Sequence, residues 1–305
     1  MSRRQPGNLW LDEPRVPIVT GMVDAEIAAY YERGLERDRL ASGRQRIEFL
    51  RIWDLLERCL PAAPARVVDV GGGAGAYAIP LAAAGYQVHL IDPVPLHVAQ
   101  AAAASRQAGT PLAAISAGDA RELPVADGSA GAVLLLGPLY HLTSRDDRLT
   151  ALREARRALR PGGVVIAKAL SRFYPVFEEL AGGMPVSPAG LDGTARFLSD
   201  GQYRNPGGDP ANFTTSYFHR PEELAGEVAD AGLELRRLVA ASGSVKLLPG
   251  PSRLLDIPEG RQHVLSVLRL LEAEPSLLGM SQNFVAIARA PAARRDDPAS
   301  SFLFS

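Results

Sequence analysis

The stretch Asp69-Val70-Gly71-Gly72-Gly73-Ala74-Gly75 sets an acid just ahead of three alternating glycines, Gly71, Gly73 and Gly75. Glycine accepts positive φ and lets another molecule lie close to the main chain. A carboxylate at this bend attracts a cation and repels a pyrophosphate. Dinucleotide-binding turns use a related Gly-x-Gly-x-x-Gly spacing. Here the third glycine arrives one residue early and Ala76 holds the dinucleotide position, so a nicotinamide ligand stays open as an alternative. Asp92 follows about twenty residues beyond Gly71, the distance at which an acid ending the next strand accepts from ribose hydroxyls. It can also cap the helix that Pro93 and Pro95 open. Two histidines are candidate general bases for an oxygen acceptor: His141, in Gly137-Pro138-Leu139-Tyr140-His141, and His219, which closes Tyr217-Phe218-His219.

Alternating strands and helices must position these groups. Arg66–Val70 and Gln87–Ile91 read as buried strands, each ending in or near an acid. Ala74–Ala84 reads as the helix between them, stopped by Gly85. Val94–Gln107 is the next helix, Leu112–Ala117 the third strand and Ala132–Leu136 a strand apolar on both faces. Ser144 opens a helix to Leu159 with a buried stripe of Leu149, Leu152, Ala155 and Leu159. Strands at 164–169, 233–240 and 283–290 and a helix at 220–231 complete the rhythm. Ligands in such sheets lie beyond the carboxyl ends of the strands. That places Tyr140 and His141 where chemistry would occur.

Two insertions interrupt the pattern. Residues 171–219 are rich in Gly, Pro and aromatic side chains, Phe173, Tyr203 and Tyr217 among them, and are expected to cap a planar or apolar acceptor. Residues 244–275 form a second insertion. Residues 22–60 carry helical patterns, 1–21 read as an arm and 291–305 as a flexible tail. Residues 22–290 are therefore expected to form one α/β domain.

Composition narrows the function classes. Of 305 residues, 47% are hydrophobic and 22% charged, with a net charge of −1, an ordinary balance for a globular protein. That charge offers no broad basic face for nucleic-acid phosphates. Cys59 is the only cysteine, which excludes an internal disulfide and a thiolate metal cluster. No metal is expected. Neither a membrane span nor a signal peptide is evident, so the cytoplasm is the expected compartment.

Asp-x-Gly-x-Gly-x-Gly at 69–75, Asp92, Asp119-Ala120 and Leu159-Arg160-Pro161-Gly162-Gly163 occur in that order. Together they resemble the class I S-adenosylmethionine (SAM) dependent methyltransferases of small-molecule type. The resemblance implies a Rossmann-like doubly wound sheet of seven strands, order 3-2-1-4-5-7-6, with the last strand antiparallel. It implies SAM as cofactor, S-adenosyl-L-homocysteine as product, and a small-molecule acceptor methylated on oxygen or nitrogen. Asp69 and the three glycines would hold the donor, Asp92 and Pro93 its ribose, and Asp119 and Ala120 its adenine, with Leu136 beside them. Helices before the first strand close over the cofactor in this family. Tyr30 could therefore reach it, and Arg51 could face the SAM carboxylate as a guanidinium fork. Tyr140, Phe173, Tyr203 and Tyr217 would meet the acceptor. The Asn/Asp-Pro-Pro-Tyr motif of amino-methylating nucleic-acid enzymes is absent, since Gly137 stands where its acid or amide would be. An RNA or protein methyltransferase and a non-catalytic SAM- or nucleotide-binding protein are the alternatives.

Overall fold

The computed structural model describes residues 25–34, 45–182, 190–205, 213–247 and 251–292. The expected arm at 1–21 and the tail from 293 onward lie outside them. Strands β1 (Arg66–Val70), β2 (Gln87–Asp92), β3 (Ala114–Ala117), β4 (Ala130–Leu135) and β5 (Leu159–Ser171) alternate with helices α3 (Ala78–Ala83), α4 (Pro95–Gln107) and α5 (Arg145–Ala158). Helices α1 (Ala25–Tyr31) and α2 (Arg46–Cys59) precede β1.

β1 pairs in parallel with β2 and β4, β2 with β3, and β4 with β5. The last strand, β9 (Asn283–Arg289), runs antiparallel between β5 and β8 (Glu234–Ala240). The main sheet thus has the expected order, with its final strand reversed beside the fifth. Val68, Val70, Val133, Leu135 and Val165 face one buried layer together with α5 and α8 (Pro221–Asp230). Val67, Val88, Leu134 and Ile166 face the other with α2 and α3. Alternate residues of one strand serve opposite faces, so an uninterrupted apolar strand such as β4 requires cover on both sides.

The insertion after β5 adds α6 (Tyr174–Leu180), α7 (Gly190–Asp200) and a hairpin of β6 (Gln202–Tyr203) and β7 (Ser216–His219). β7 pairs in parallel with the end of β5 through Leu170 and Ser171, which carries the sheet past the carboxyl ends of the central strands. The second insertion folds as α9 (Pro251–Asp256), α10 (Pro258–Leu271) and α11 (Pro275–Leu278).

Local departures from expectation are few. The helix after the glycine turn begins at Ala78, because residues 74–77 still form turns. Ser144 sits at the N-cap of α5 with extended backbone but gives no side-chain cap. No described helix is long and apolar enough to cross a membrane.

Candidate active site

The ends of β1, β2 and β4 open onto a cavity of about 350 Å³. Its floor is the glycine turn. Gly71 and Gly73 have φ of 67° and 57°, a region L side chains rarely occupy. A methyl group on Gly72 would meet Asp69 Oδ2 at 2.9 Å and Leu90 at 2.8 Å. The turn therefore lies bare because its backbone form and its neighbours exclude side chains.

Asp69 is buried at the end of β1, and its Oδ2 has no hydrogen-bond donor. Burial, with a smaller contribution from the nearby charge of Asp92, pushes its carboxyl up to about 7. Asp92 is held differently. Its Oδ2 accepts from the Gly73 amide at 2.8 Å, and its Oδ1 accepts from the Val94 amide at 2.9 Å. His97 Nδ1 lies 3.1 Å from the same Oδ1. A carboxylate has about four lone-pair sites, so Asp92 both caps the turn into α4 and keeps capacity toward the cavity. Asp119 is tied to Arg121, whose amide, Nε and Nη2 donate to it at 2.8, 3.0 and 2.6 Å. Pro93, Ala120 and Leu136 line the cavity between these acids.

Another part of the cavity wall is built from remote segments, and His97 joins it to Asp92 by touching both that acid and the Tyr31 ring. Tyr140 and His141 lie on a short 3-10 turn after β4 and line the cavity with Tyr31 of α1 and Thr215 of the hairpin. His141 Nδ1 is 3.3 Å from the Thr215 carbonyl and Nε2 is 2.6 Å from Tyr31 Oη. A carbonyl can only accept, so Nδ1 carries the proton and Nε2 accepts from the Tyr31 hydroxyl. Burial pushes the imidazole down to about 4, despite the Thr215 carbonyl and Asp92. Lys168 of β5 also lines the cavity, with its Nζ 2.6 Å from Glu48 Oε1 of α2.

Several residues expected at the site lie elsewhere. Arg51 is fully buried among Asp54, Glu272 at 2.7 Å and the Ala241 carbonyl at 2.9 Å. It cannot face a ligand carboxylate because two acids of its own chain already hold it. Tyr30 packs edge-on to Tyr31 and Phe213, and its neighbour Tyr31 faces the cavity instead. His219 is fully buried with Nε2 3.2 Å from Glu227, and Arg148 donates to that same acid. This imidazole belongs to a buried charge cluster and is correspondingly no base at the cavity. Tyr217 is stacked under Arg148 and bonded to Glu223. Phe173 lies against Gly279, and Tyr203 against Phe218. These aromatics fasten the insertion to the sheet and do not line the cavity. Tyr31, His97, Lys168 and Thr215 were not singled out from sequence. His97, one turn into the helix after Asp92, is the one a local spacing could have flagged.

Residues 68–167 match the family model described as a methyltransferase domain. A relative from Mycobacterium tuberculosis, named as an uncharacterized methyltransferase, is 36% identical over 112 residues, 36% of this chain and 42% of that one. A ubiquinone biosynthesis O-methyltransferase from Methylobacterium sp. (strain 4-46) is 28% identical, covering 57% of this chain and 61% of that one. The chain thus spans about half the length of the curated relatives it matches. A crystal structure of a SAM-dependent methyltransferase from Methanosarcina mazei superposes with a TM-score of 0.53 at 18% identity, over 78% of this chain and 98% of the other.

Proposed function

We propose, from the premise that residues 68–167 are a methyltransferase domain, that the chain is a SAM-dependent methyltransferase. Its acceptor is an oxygen or nitrogen of a small molecule, and it acts in the cytoplasm. The observation that carries this reading is the orphaned Asp69 Oδ2 beneath the bare glycine turn. A buried carboxylate without a donor calls for a cation, and SAM is cationic and lacks phosphate. The residues present fit that group. Asp69 would balance its positive end, the amides of the glycine turn would lie along it, and Asp92 would accept from the ribose. Ala120 and Leu136 would leave room for the adenine, with Asp119 at its edge.

When bound, SAM supplies a methyl group on a sulfonium that departs as a neutral thioether. Little chemistry remains for the protein beyond alignment and exclusion of water. Tyr140 and Leu136, both buried, wall the cavity where strand β4 ends. His141, held neutral by burial, can accept a proton that an acceptor must lose. Arg121 is paired with Asp119 and Asp147, and Lys168 with Glu48, so among the described residues the cavity presents no run of cations suited to a nucleic-acid backbone. The relative named as a ubiquinone biosynthesis O-methyltransferase supports a small molecule.

Calorimetry with SAM, S-adenosylhomocysteine and NADH tests the reading. Saturable binding of the first two is expected. NADH binding in their place, or no binding of either, would sink it.

A further inference from the structure

We infer that His97 binds the methyl donor directly: its Nε2 accepts from one of the two ribose hydroxyls, and Asp92 accepts from the other. This deepens the methyltransferase reading and rests on it. The hydrogen-bond sites of Asp92 are largely spent before any ligand arrives. A carboxylate offers about four lone-pair sites. Oδ2 accepts from the Gly73 amide at 2.8 Å. Oδ1 accepts from the Val94 amide at 2.9 Å and faces His97 Nδ1 at 3.1 Å. Oδ1 is therefore full, and Oδ2 keeps room for one further donor. A ribose brings two neighbouring hydroxyls, so this acid alone leaves one of them without an acceptor.

His97 supplies the missing acceptor. It lies in the first turn of α4, is only 4% exposed, and lines the same cavity as Asp92. Both oxygens of Asp92 already accept from main-chain amides, so the carboxylate accepts from His97 as well and the imidazole proton sits on Nδ1. In the neutral ring Nε2 is then a lone-pair acceptor. Nε2 is buried and has no hydrogen-bond partner, and an orphaned acceptor of this kind calls for a donor. The ring is also fixed in place. Asp92 holds one side of it, and Tyr31 packs edge-on against it with centroids 5.3 Å apart. Asp92 and Nε2 thus form two acceptors separated by one imidazole, suited to hydroxyls on adjacent carbons. The site reads an intact diol, because loss of either hydroxyl leaves a buried acceptor unpaired.

The test is calorimetry with S-adenosylhomocysteine and with its 2′-deoxy and 3′-deoxy analogues, on wild-type protein and on His97→Asn and His97→Gln. Asparagine keeps a donor near the place of Nδ1 and has nothing where Nε2 stood. Glutamine sets an amide oxygen near the place of Nε2 and gives up the bond to Asp92. Wild-type protein should bind each deoxy analogue about tenfold more weakly than the parent. In His97→Asn one of the two penalties should shrink to within about twofold while the other persists, and His97→Gln should restore it. Nitrogen-15 labelling of histidine gives a readout that needs no variant. The Nε2 resonance of His97 should move when wild-type protein binds S-adenosylhomocysteine, and one of the two analogues should fail to move it. The inference is overturned by wild-type protein that penalises neither analogue, by two unchanged penalties in His97→Asn, or by an Nε2 resonance indifferent to the parent ligand. Joint loss of both penalties in His97→Asn overturns it too, since His97 would then only support Asp92. Failure of wild-type protein to bind S-adenosylhomocysteine at all would instead count against the methyltransferase reading.

Discussion

Asp69 shows how one side chain couples fold stability to ligand charge. Its carboxyl rises from an ordinary 3.8 to about 7, chiefly through burial and secondarily through Asp92. The native state therefore holds a proton that the unfolded chain releases. Stability from this group is fully present below about pH 4 and is lost as pH climbs to about 7, on the order of 4 kcal/mol in all. A cationic donor reverses the preference, since it favours the ionised acid. Affinity for SAM should then fall as pH drops below about 7, by up to about tenfold per unit. Binding there should release a proton, visible as a dependence of calorimetric heat on buffer. Asp69→Asn should flatten both pH profiles and weaken SAM binding at neutral pH. A variant that kept the wild-type slope would assign the linkage to another group.

At the scale of elements, α2 is locked to the second insertion by buried charge. Arg51 of α2 joins Asp54 of the same helix to Glu272 just beyond α10, with Arg58, Arg237 and Arg269 at the rim. Burial acts to raise the Glu272 carboxyl, but hydrogen bonds from Arg58 and Arg51 outweigh it and hold the group down at about 2. Its stabilisation is present above about pH 4.5 and is lost as pH falls toward 2. Glu272→Gln removes one of the two acids that hold buried Arg51 and leaves Asp54, so it should cost on the order of 2 kcal/mol, below the roughly 3–5 kcal/mol of a fully broken buried pair. Urea denaturation should show that loss, with SAM affinity little changed because the cluster does not line the cavity. The same cluster explains where sequence reasoning stopped. The glycine turn, Asp92 and the succession of strands were legible because each rests on spacings of a few residues or on a two-face apolar pattern, whereas the strand order followed from the family resemblance. Of the two acids that hold Arg51, Asp54 is three residues on but Glu272 lies 221 positions away, and the sequence does not show that this distant acid claims the guanidinium before a ligand could. His219 was misplaced for the same reason. Its neighbours in sequence are aromatic, but the group that claims it is Glu227 on the following helix.

Across the whole molecule, two walls of the cavity are assembled differently. The wall made by the glycine turn, Asp92 and Asp119 comes from consecutive βα turns and would survive changes in the insertions. The other wall exists only where α1, the turn after β4 and the hairpin converge. Thr215 is the junction, since its carbonyl orients His141 while its amide and Oγ1 donate to Glu26 of α1 at 3.1 and 2.6 Å. Glu26 thus sets where α1 places Tyr31, although it does not itself line the cavity. Helix α1 has only seven residues, too few to persist by propensity alone, so its position depends on such ties. Glu26→Ala should loosen residues 25–34 and spare the sheet. Hydrogen exchange should report faster exchange in that segment and unchanged protection in β1, β4 and β5. Affinity for S-adenosylhomocysteine should change by less than about threefold, since Glu26 does not line the cavity and a lost hydrogen bond outside it is worth little there. If exchange in 25–34 stayed at the wild-type rate, α1 would be held chiefly by its aromatic contacts with Phe213 and His97, and this wall of the cavity would owe its shape to packing instead of to this carboxylate.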